Sequence, residues 1–389
     1  MVNYYSADIV MTVSSAPIKQ GVVAVNGEGV IEGVYDSHSI PDGVTVKKLA
    51  GVLIPGFVNT HCHLELSHML GKIPQHTGLP IFLSNVIKDR NSTEKSILSA
   101  MKKADEMMFK NGIQAVGDHV NSAISASIKE KSKIIYHTFV EIIGINNAEL
   151  QAKIDHARDI EFHFDADHTS ITPHAPYSST KMMFRAFKKA ISEDNIISIH
   201  NQESDEENKL FRYRMGDFLT FYADQGIDMS GFKAQARNSL QSYLPYLPAN
   251  NKIILVHNTY MSLKDLDFIN RMNKKVILCL CPKANLYIEN TLPKIPILEQ
   301  DNLDITIGTD SLASNDTLDM LEELKTIHAH YPDVDLNKSI RWATLNGAKA
   351  LGLDADLGSI EVGKTPGLVL LKNMNQLRFT KNVQVERIV

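Results

Sequence analysis

The sequence predicts an α/β protein, a (β/α)8 barrel of the TIM type carrying a small β-sandwich built from both ends of the chain. Three observations lead there. Short, apolar, β-branched runs stop abruptly at side chains of metal-ligand type, at His61 and His63, at His200, at His257 and at Asp310. Across the middle of the chain strand patterns alternate with helical ones, as in a parallel sheet with crossover helices. Both ends carry short strand runs without helices between them.

In chain order, residues up to about 53 hold the runs 9–13, 22–25, 29–35 and 44–48, broken by Gly, Asn, Asp and Pro, which predict a small antiparallel sheet. Residues 367–371 and 383–389 have the same character. Neither end makes a domain alone, so 1–54 and 352–389 are expected to pair into one β-sandwich around a barrel domain at 55–351. The barrel strands are expected at 57–61, 115–119, 134–141, 169–174, 196–200, 253–257, 276–281 and 305–309. Continuous apolar runs of this kind suit strands buried on both faces. Helical patterns fill the gaps, among them 94–111, 181–192, 263–271 and 317–331, and the longest insertion, 203–251, follows the fifth strand.

Side chains two apart in a strand share a side, so His61 and His63 project together while Cys62 points the other way into packing. Imidazole is the commonest protein metal ligand. One histidine ending an apolar strand is as a rule a satisfied structural residue, but four strand ends of this type in one chain are not. In a (β/α)8 barrel the C-terminal strand ends are where chemistry is kept. Cys279 and Cys281 share one side of a strand and read as small buried apolar residues; three cysteines make no disulfide framework. A net charge of −5 and a pI near 6.3 offer no basic field to nucleic acid or an anionic membrane. The opening residues lack the basic and apolar regions of a secretory signal, and no apolar run approaches a membrane span. The expectation is a cytoplasmic protein with a small-molecule partner and, at most, a homodimeric assembly.

The order of these residues (His-x-His, a later His followed three residues on by Glu, a further strand-end His and a final strand-end Asp) resembles the amidohydrolase superfamily. Pro55-Gly56-Phe57-Val58-Asn59-Thr60-His61, Pro173-His174-Ala175-Pro176-Tyr177, Gly308-Thr309-Asp310-Ser311, Ala343-Thr344-Leu345-Asn346-Gly347-Ala348 and residues 357–367 are similar to the family's motifs. Within it the chain is most similar to the aminohydrolase branch of cytosine, guanine and adenosine-type deaminases related to S-adenosylhomocysteine deaminase. Residues 63–67 and 82–90 resemble aminodeoxyfutalosine deaminase.

That resemblance implies one divalent metal ion, zinc with iron as the alternative, held by His61, His63, His200 and Asp310. Binuclear relatives use a lysine at the end of the fourth strand, where this chain has His174, so one ion is expected rather than two. Glu203 would shuttle a proton between the activated water and a ring nitrogen; its spacing alone equally suits a helix N-terminal carboxylate beside Asp205, Glu206 and Glu207. His257 would polarise the attacked centre or stabilise hydroxide, and Asp310 would double as proton acceptor. His174, Glu65, Glu141 and Arg90 would contact substrate, with Arg212 and Arg214 as further partners for an anionic group. Glu65 equally suits a salt bridge, and Asn285 and Asn315 match loop positions of the family. His119 and His137 read as barrel packing, and His68, His76, His163, His168, His328 and His330 as surface residues. The implied reaction is hydrolytic deamination of an aminopurine-type substrate, with a 6-aminopurine bearing a ribosyl-type substituent preferred over free guanine or cytosine. The alternatives are guanine or cytosine deamination, an imidazolonepropionase, a formiminoglutamate deiminase, a chlorohydrolase, and a non-enzymatic scaffold, which would be expected to have lost the ligands.

Overall fold

The computed structural model describes residues 1–374 and 377–389. The two ends of the chain do meet, in one seven-stranded sheet. Its strands are β1 (Asn3–Val10), β2 (Ile18–Lys19), β3 (Val22–Val25), β4 (Ile31–Tyr35), β5 (Val46–Pro55), β14 (Leu368–Lys372) and β15 (Gln384–Arg387), ordered β15-β14-β5-β1-β3-β4 with β2 beside β1. Two expectations need correcting. The sheet is mixed, because β1 and β5 run parallel while β14 joins β5 antiparallel. In addition, β1 starts at Asn3 and β5 runs on to Pro55, both beyond the predicted runs. The polar residues that hid β1 in the sequence, Asn3, Ser6 and Asp8, are exposed or half-buried, while Ala7 and Val10 pack with Val23, Val25, Leu53, Leu368 and Leu370.

Gly56 turns the chain out of β5. A side chain there would meet the Pro366 carbonyl at 2.7 Å and the Gln114 side chain, so the close approach of three segments requires glycine. Beyond it come eight parallel strands: β6 (Phe57–Cys62), β7 (Ile113–Val120), β8 (Ile135–Ile142), β9 (Thr169–Pro173), β10 (Ile197–Asn201), β11 (Lys252–His257), β12 (Lys275–Leu280) and β13 (Asp304–Ile307). They pair in chain order as two four-stranded sheets, β6 to β9 and β10 to β13. The sheets are also bonded edge to edge. The His200 backbone N–H donates to the His174 carbonyl at 3.0 Å, and Thr309 and Asp310 N–H both donate to the His61 carbonyl at 3.0 Å. Each predicted central strand is therefore present within a residue or two.

The covering helices form where an apolar stripe meets a capping residue. In Glu94–Lys110 the buried side chains are Met101, Ala104 and Met108, one face of a 3.6-residue period, and Thr93 caps the first turn by accepting from Ser96 N. Leu263–Met272 starts at a capping box, Ser262 with Asp265. The helix predicted from 317 begins only at Met320, because the Asp319 carboxylate accepts from Leu321 N at 2.8 Å and sets the N-terminus there. The helices press Met108, Ile154, Phe187, Leu266 and Leu324 onto the strands in one continuous core. No helix among the described residues is long and apolar enough to cross a membrane.

Candidate active site

The C-terminal ends of β6, β10 and β13 bring three imidazoles and a carboxylate together. One ligand atom from each of His61, His63, His200 and Asp310 lies within 4.8 Å of all the others. His63 Nε2 is 3.4 Å from His200 Nε2, and His61 Nε2 and His63 Nε2 are 3.4 and 3.6 Å from Asp310 Oδ1. Donors ~2.1 Å from a tetrahedral ion sit about 3.4 Å apart, so these separations suit one divalent cation. His61 is fully buried, and neither of its ring nitrogens has a hydrogen-bond partner. A buried polar atom left unpaired is costly, and a cation at the centre of the cluster removes that cost at Nε2. Burial also holds His61 and His63 well below the ordinary imidazole range, hence in the neutral form that ligation requires.

Two members of the cluster are held from behind. His200 Nδ1–H donates to the His174 carbonyl at 2.8 Å, which leaves Nε2 free towards the cluster. Ser314 Oγ donates to Asp310 Oδ2 at 2.6 Å, leaving Oδ1 towards the His61 and His63 imidazoles. Gly308 lets the last strand pass close to the first, since a methyl group there would stand 2.7 Å from His61 Cβ. A buried ion pair fixes the turn after His63: Asp118 Oδ1 accepts from Leu64 N at 2.7 Å, and its Oδ2 lies 2.6 Å from Lys129 Nζ, which sits over the Phe164 and Tyr136 rings. Neither residue was legible as a site residue in the sequence. Removing one partner strands a buried charge. Lys129→Met is expected to lower unfolding free energy by about 3–5 kcal/mol in urea titrations followed by circular dichroism; a loss under ~1 kcal/mol would show that the pair carries no such role.

Glu203 follows β10 and is buried, with its Oε1 3.6 Å from His257 Nε2. Asn285 Nδ2 donates to His257 Nδ1 at 3.1 Å, which places the ring proton on Nε2, facing Glu203. Asn285 thus holds the His257 ring, whereas Asn315 ties the Thr309 carbonyl to Glu323 and stays within the loop. Burial, with Asp310, Glu207 and Glu289 nearby, drives the Glu203 carboxyl well above the usual carboxylate range. Three residues here adopt left-handed backbone, which L-residues seldom do: Gln202 (φ 44°), His257 (φ 75°) and Asp310 (φ 58°). Such conformations collect where surrounding structure enforces them, commonly at functional sites.

A model of the amidohydrolase family matches residues 52–386. The chain belongs to that family. A Helicobacter pylori protein named adenosine deaminase is 27% identical over 340 residues, spanning 85% of this chain and 80% of its own length. The 5-methylthioadenosine/S-adenosylhomocysteine deaminase of Pyrococcus furiosus is 24% identical over 362 residues, 88% of this chain and 80% of that protein. Among solved structures, the aminofutalosine deaminase of Helicobacter pylori in complex with methylthio-coformycin superposes with a TM-score of 0.77 at 22% identity, covering 95% of this chain and 92% of that one.

In this amidohydrolase the cluster forms the floor of a cavity of about 330 Å³, lined by His63, Glu65, Arg90, Glu141, His174, His200, Glu203 and Asp310 among others. His174, Glu65, Glu141 and Arg90 thus all line the cavity, but two have carboxylates already engaged. Glu65 accepts from Asn121 N, Ser122 N and Ser122 Oγ at 3.0, 3.2 and 2.7 Å, and so pins the loop after β7. Glu141 accepts from Asn121 Nδ2 and His119 Nδ1 at 2.8 and 2.9 Å. His119 is a packing residue of a particular kind: it stands against His61, ring centroids 4.5 Å apart, and belongs to a second ligand-type group with His63 and Glu141. His137 is packed in the core, bonded to Ser170. Three expected surface histidines are half-buried instead, His68 between the Glu65 and Arg90 carbonyls, His168 beside the Asp165 carboxylate and His328 against Ser339. Arg212 and Arg214 are exposed and do not line the cavity; the insertion contributes Phe221, Tyr222, Gln225 and Ile227 to the wall instead, all but Gln225 in one apolar cluster with Leu79, Phe82 and Val86. Phe82 and Val86 lie in the 82–90 stretch that carries a resemblance, whereas Leu79, Phe221, Tyr222, Gln225 and Ile227 belong to no motif.

Proposed function

We propose that this chain is a metal-dependent deaminase that hydrolyses the exocyclic amino group of an adenine-containing nucleoside, releasing ammonia. The observation that carries the reading is the convergence of three imidazole Nε2 atoms and the Asp310 carboxylate on the floor of a cavity that Glu203 also enters. The names of the relatives support the substrate class. His61, His63, His200 and Asp310 are the residues that would hold the ion, zinc by its preference for such a set. A bound divalent ion lowers the pKa of a coordinated water towards ~7.

The protein's own groups do the rest. Glu203 hands a proton from its carboxyl to the ring nitrogen beside the carbon that water attacks, and takes one from that water. His257, its Nε2 proton facing Glu203, steadies the charge that builds at the attacked centre. Asp310 accepts the second water proton and passes it to the amino group, which leaves as ammonia. The planar purine is positioned against His174 and Glu141, and Arg90 meets the outer substituent. Finer points of architecture belong to the same proposal: the two edge-bonded parallel sheets close as a (β/α)8 barrel over 55–351, and the terminal strands, with 1–54 and 352–389 as the domain, wrap their shared apolar face as a sandwich. Zinc-loaded enzyme is expected to convert 5′-substituted adenosines to the inosine chromophore, followed by ultraviolet absorbance and ammonia release, in preference to free guanine or cytosine. Turnover of guanine or cytosine with no adenine compound accepted would overturn the substrate class and leave the family.

A further inference from the structure

Glu207 is a buried carboxylate that nothing in the reaction above uses. It lies on the helix Asp205–Tyr213 with no exposed surface, and no lysine or arginine faces it among the described ion pairs. Its two oxygens turn back to the preceding loop: Oε1 accepts from Gln202 N at 3.1 Å and Oε2 from Glu203 N at 3.3 Å. Those two successive N–H groups converge because Gln202 is in the left-handed region, φ 44°, a conformation costing of order 1–3 kcal/mol when a side chain is present. The Gln202 carbonyl accepts from Tyr260 N at 3.0 Å, and its side-chain Oε1 is buried without a partner. The kink is thus enforced from both sides, and it determines where the next residue, Glu203, points.

We infer that Glu207 is a positioning residue: its carboxylate clamps the Gln202–Glu203 turn and thereby aims the Glu203 carboxyl at His257 and the cavity floor. A buried carboxylate without a cation is expensive, and the Ser239 hydroxyl beside it and two backbone donors in a strained turn are its compensation. Burial pushes the Glu207 carboxyl up to about 7, in keeping with that cost. The inference rests on Glu203 as the proton shuttle, and the test separates the two.

Glu207→Gln keeps the size but offers one acceptor where two N–H groups point. Expected is a fall in kcat of ~10- to 100-fold, the scale of a sub-ångström to 1 Å misplacement, with KM and bound zinc within about threefold of wild type. Introduced into a Glu203→Gln background, the same change is expected to add less than about twofold, because a clamp on an absent shuttle has nothing to aim. If Glu207→Gln does not fold, Glu207→Asp retains the buried carboxylate one methylene shorter and is expected to show the same kcat-selective, non-additive loss. An unchanged kcat in either folded variant, or a loss that persists in full in the Glu203→Gln background, would overturn the inference while leaving the shuttle in place. Full activity of Glu203→Gln itself would instead remove the shuttle, and the clamp's purpose with it.

Discussion

Glu203→Gln is expected to lower kcat by at least ~10²-fold, the usual weight of a general acid–base group, while zinc per chain and the thermal midpoint stay near wild type. The amide is isosteric and can still face His257, but it cannot exchange a proton. Glu203 is not among the four residues whose ligand atoms converge on the floor of the cavity, and it reaches the cluster only through His257 and the cavity. Retention of metal with loss of turnover is therefore the specific signature. If zinc content, measured by elemental analysis after gel filtration, fell together with activity, Glu203 would be a ligand or a support; activity near wild type would exclude it from the reaction.

Asp310→Ala is expected to act in the opposite way, removing metal and activity together. Asp310 supplies the one carboxylate of the cluster, within 3.4 and 3.6 Å of two of its imidazoles, and it sits at a strained strand end held by Ser314. Loss of a residue that merely orients a ligand costs ~10- to 100-fold in metal affinity, so loss of the ligand itself should exceed that range. Competition with a zinc-binding dye would measure it, and circular dichroism would show the fold retained. Zinc affinity within about tenfold of wild type would show that the three histidines bind without Asp310, and the assignment of the site would fail.

Much of this was legible because it is local. The strand ends at His61, His200, His257 and Asp310 stand out as single polar residues closing apolar runs, and the parallel sheets are readable from the alternation of strands with amphipathic helices. The two ends of the chain share one sheet, mixed rather than antiparallel; β1 is hard to read because Asn3 to Ser6 lack apolar alternation, and their strand state comes from pairing with β3 and β5. Local signals failed where a residue serves two elements. Asp319 reads as one more helical residue, yet its carboxylate starts the helix. Arg212 and Arg214 sit beside Phe211 in sequence, but the helix turns them to solvent while Phe211 goes inward.

By itself, the sequence determined the ligand types, their order, and the strand ends that carry them, because a buried run interrupted by one imidazole or carboxylate has few other uses. Only the tertiary structure decided which groups touch. His119 became the neighbour of His61, Glu65 was drawn to the Asn121–Ser122 loop, Lys129 became the partner of Asp118, and Glu207 closed on the turn that aims Glu203. Such pairings join residues brought together by separate strands and turns, and each depends on burial: a carboxylate that would be solvated on a free helix must, once enclosed, find donors wherever the packing supplies them.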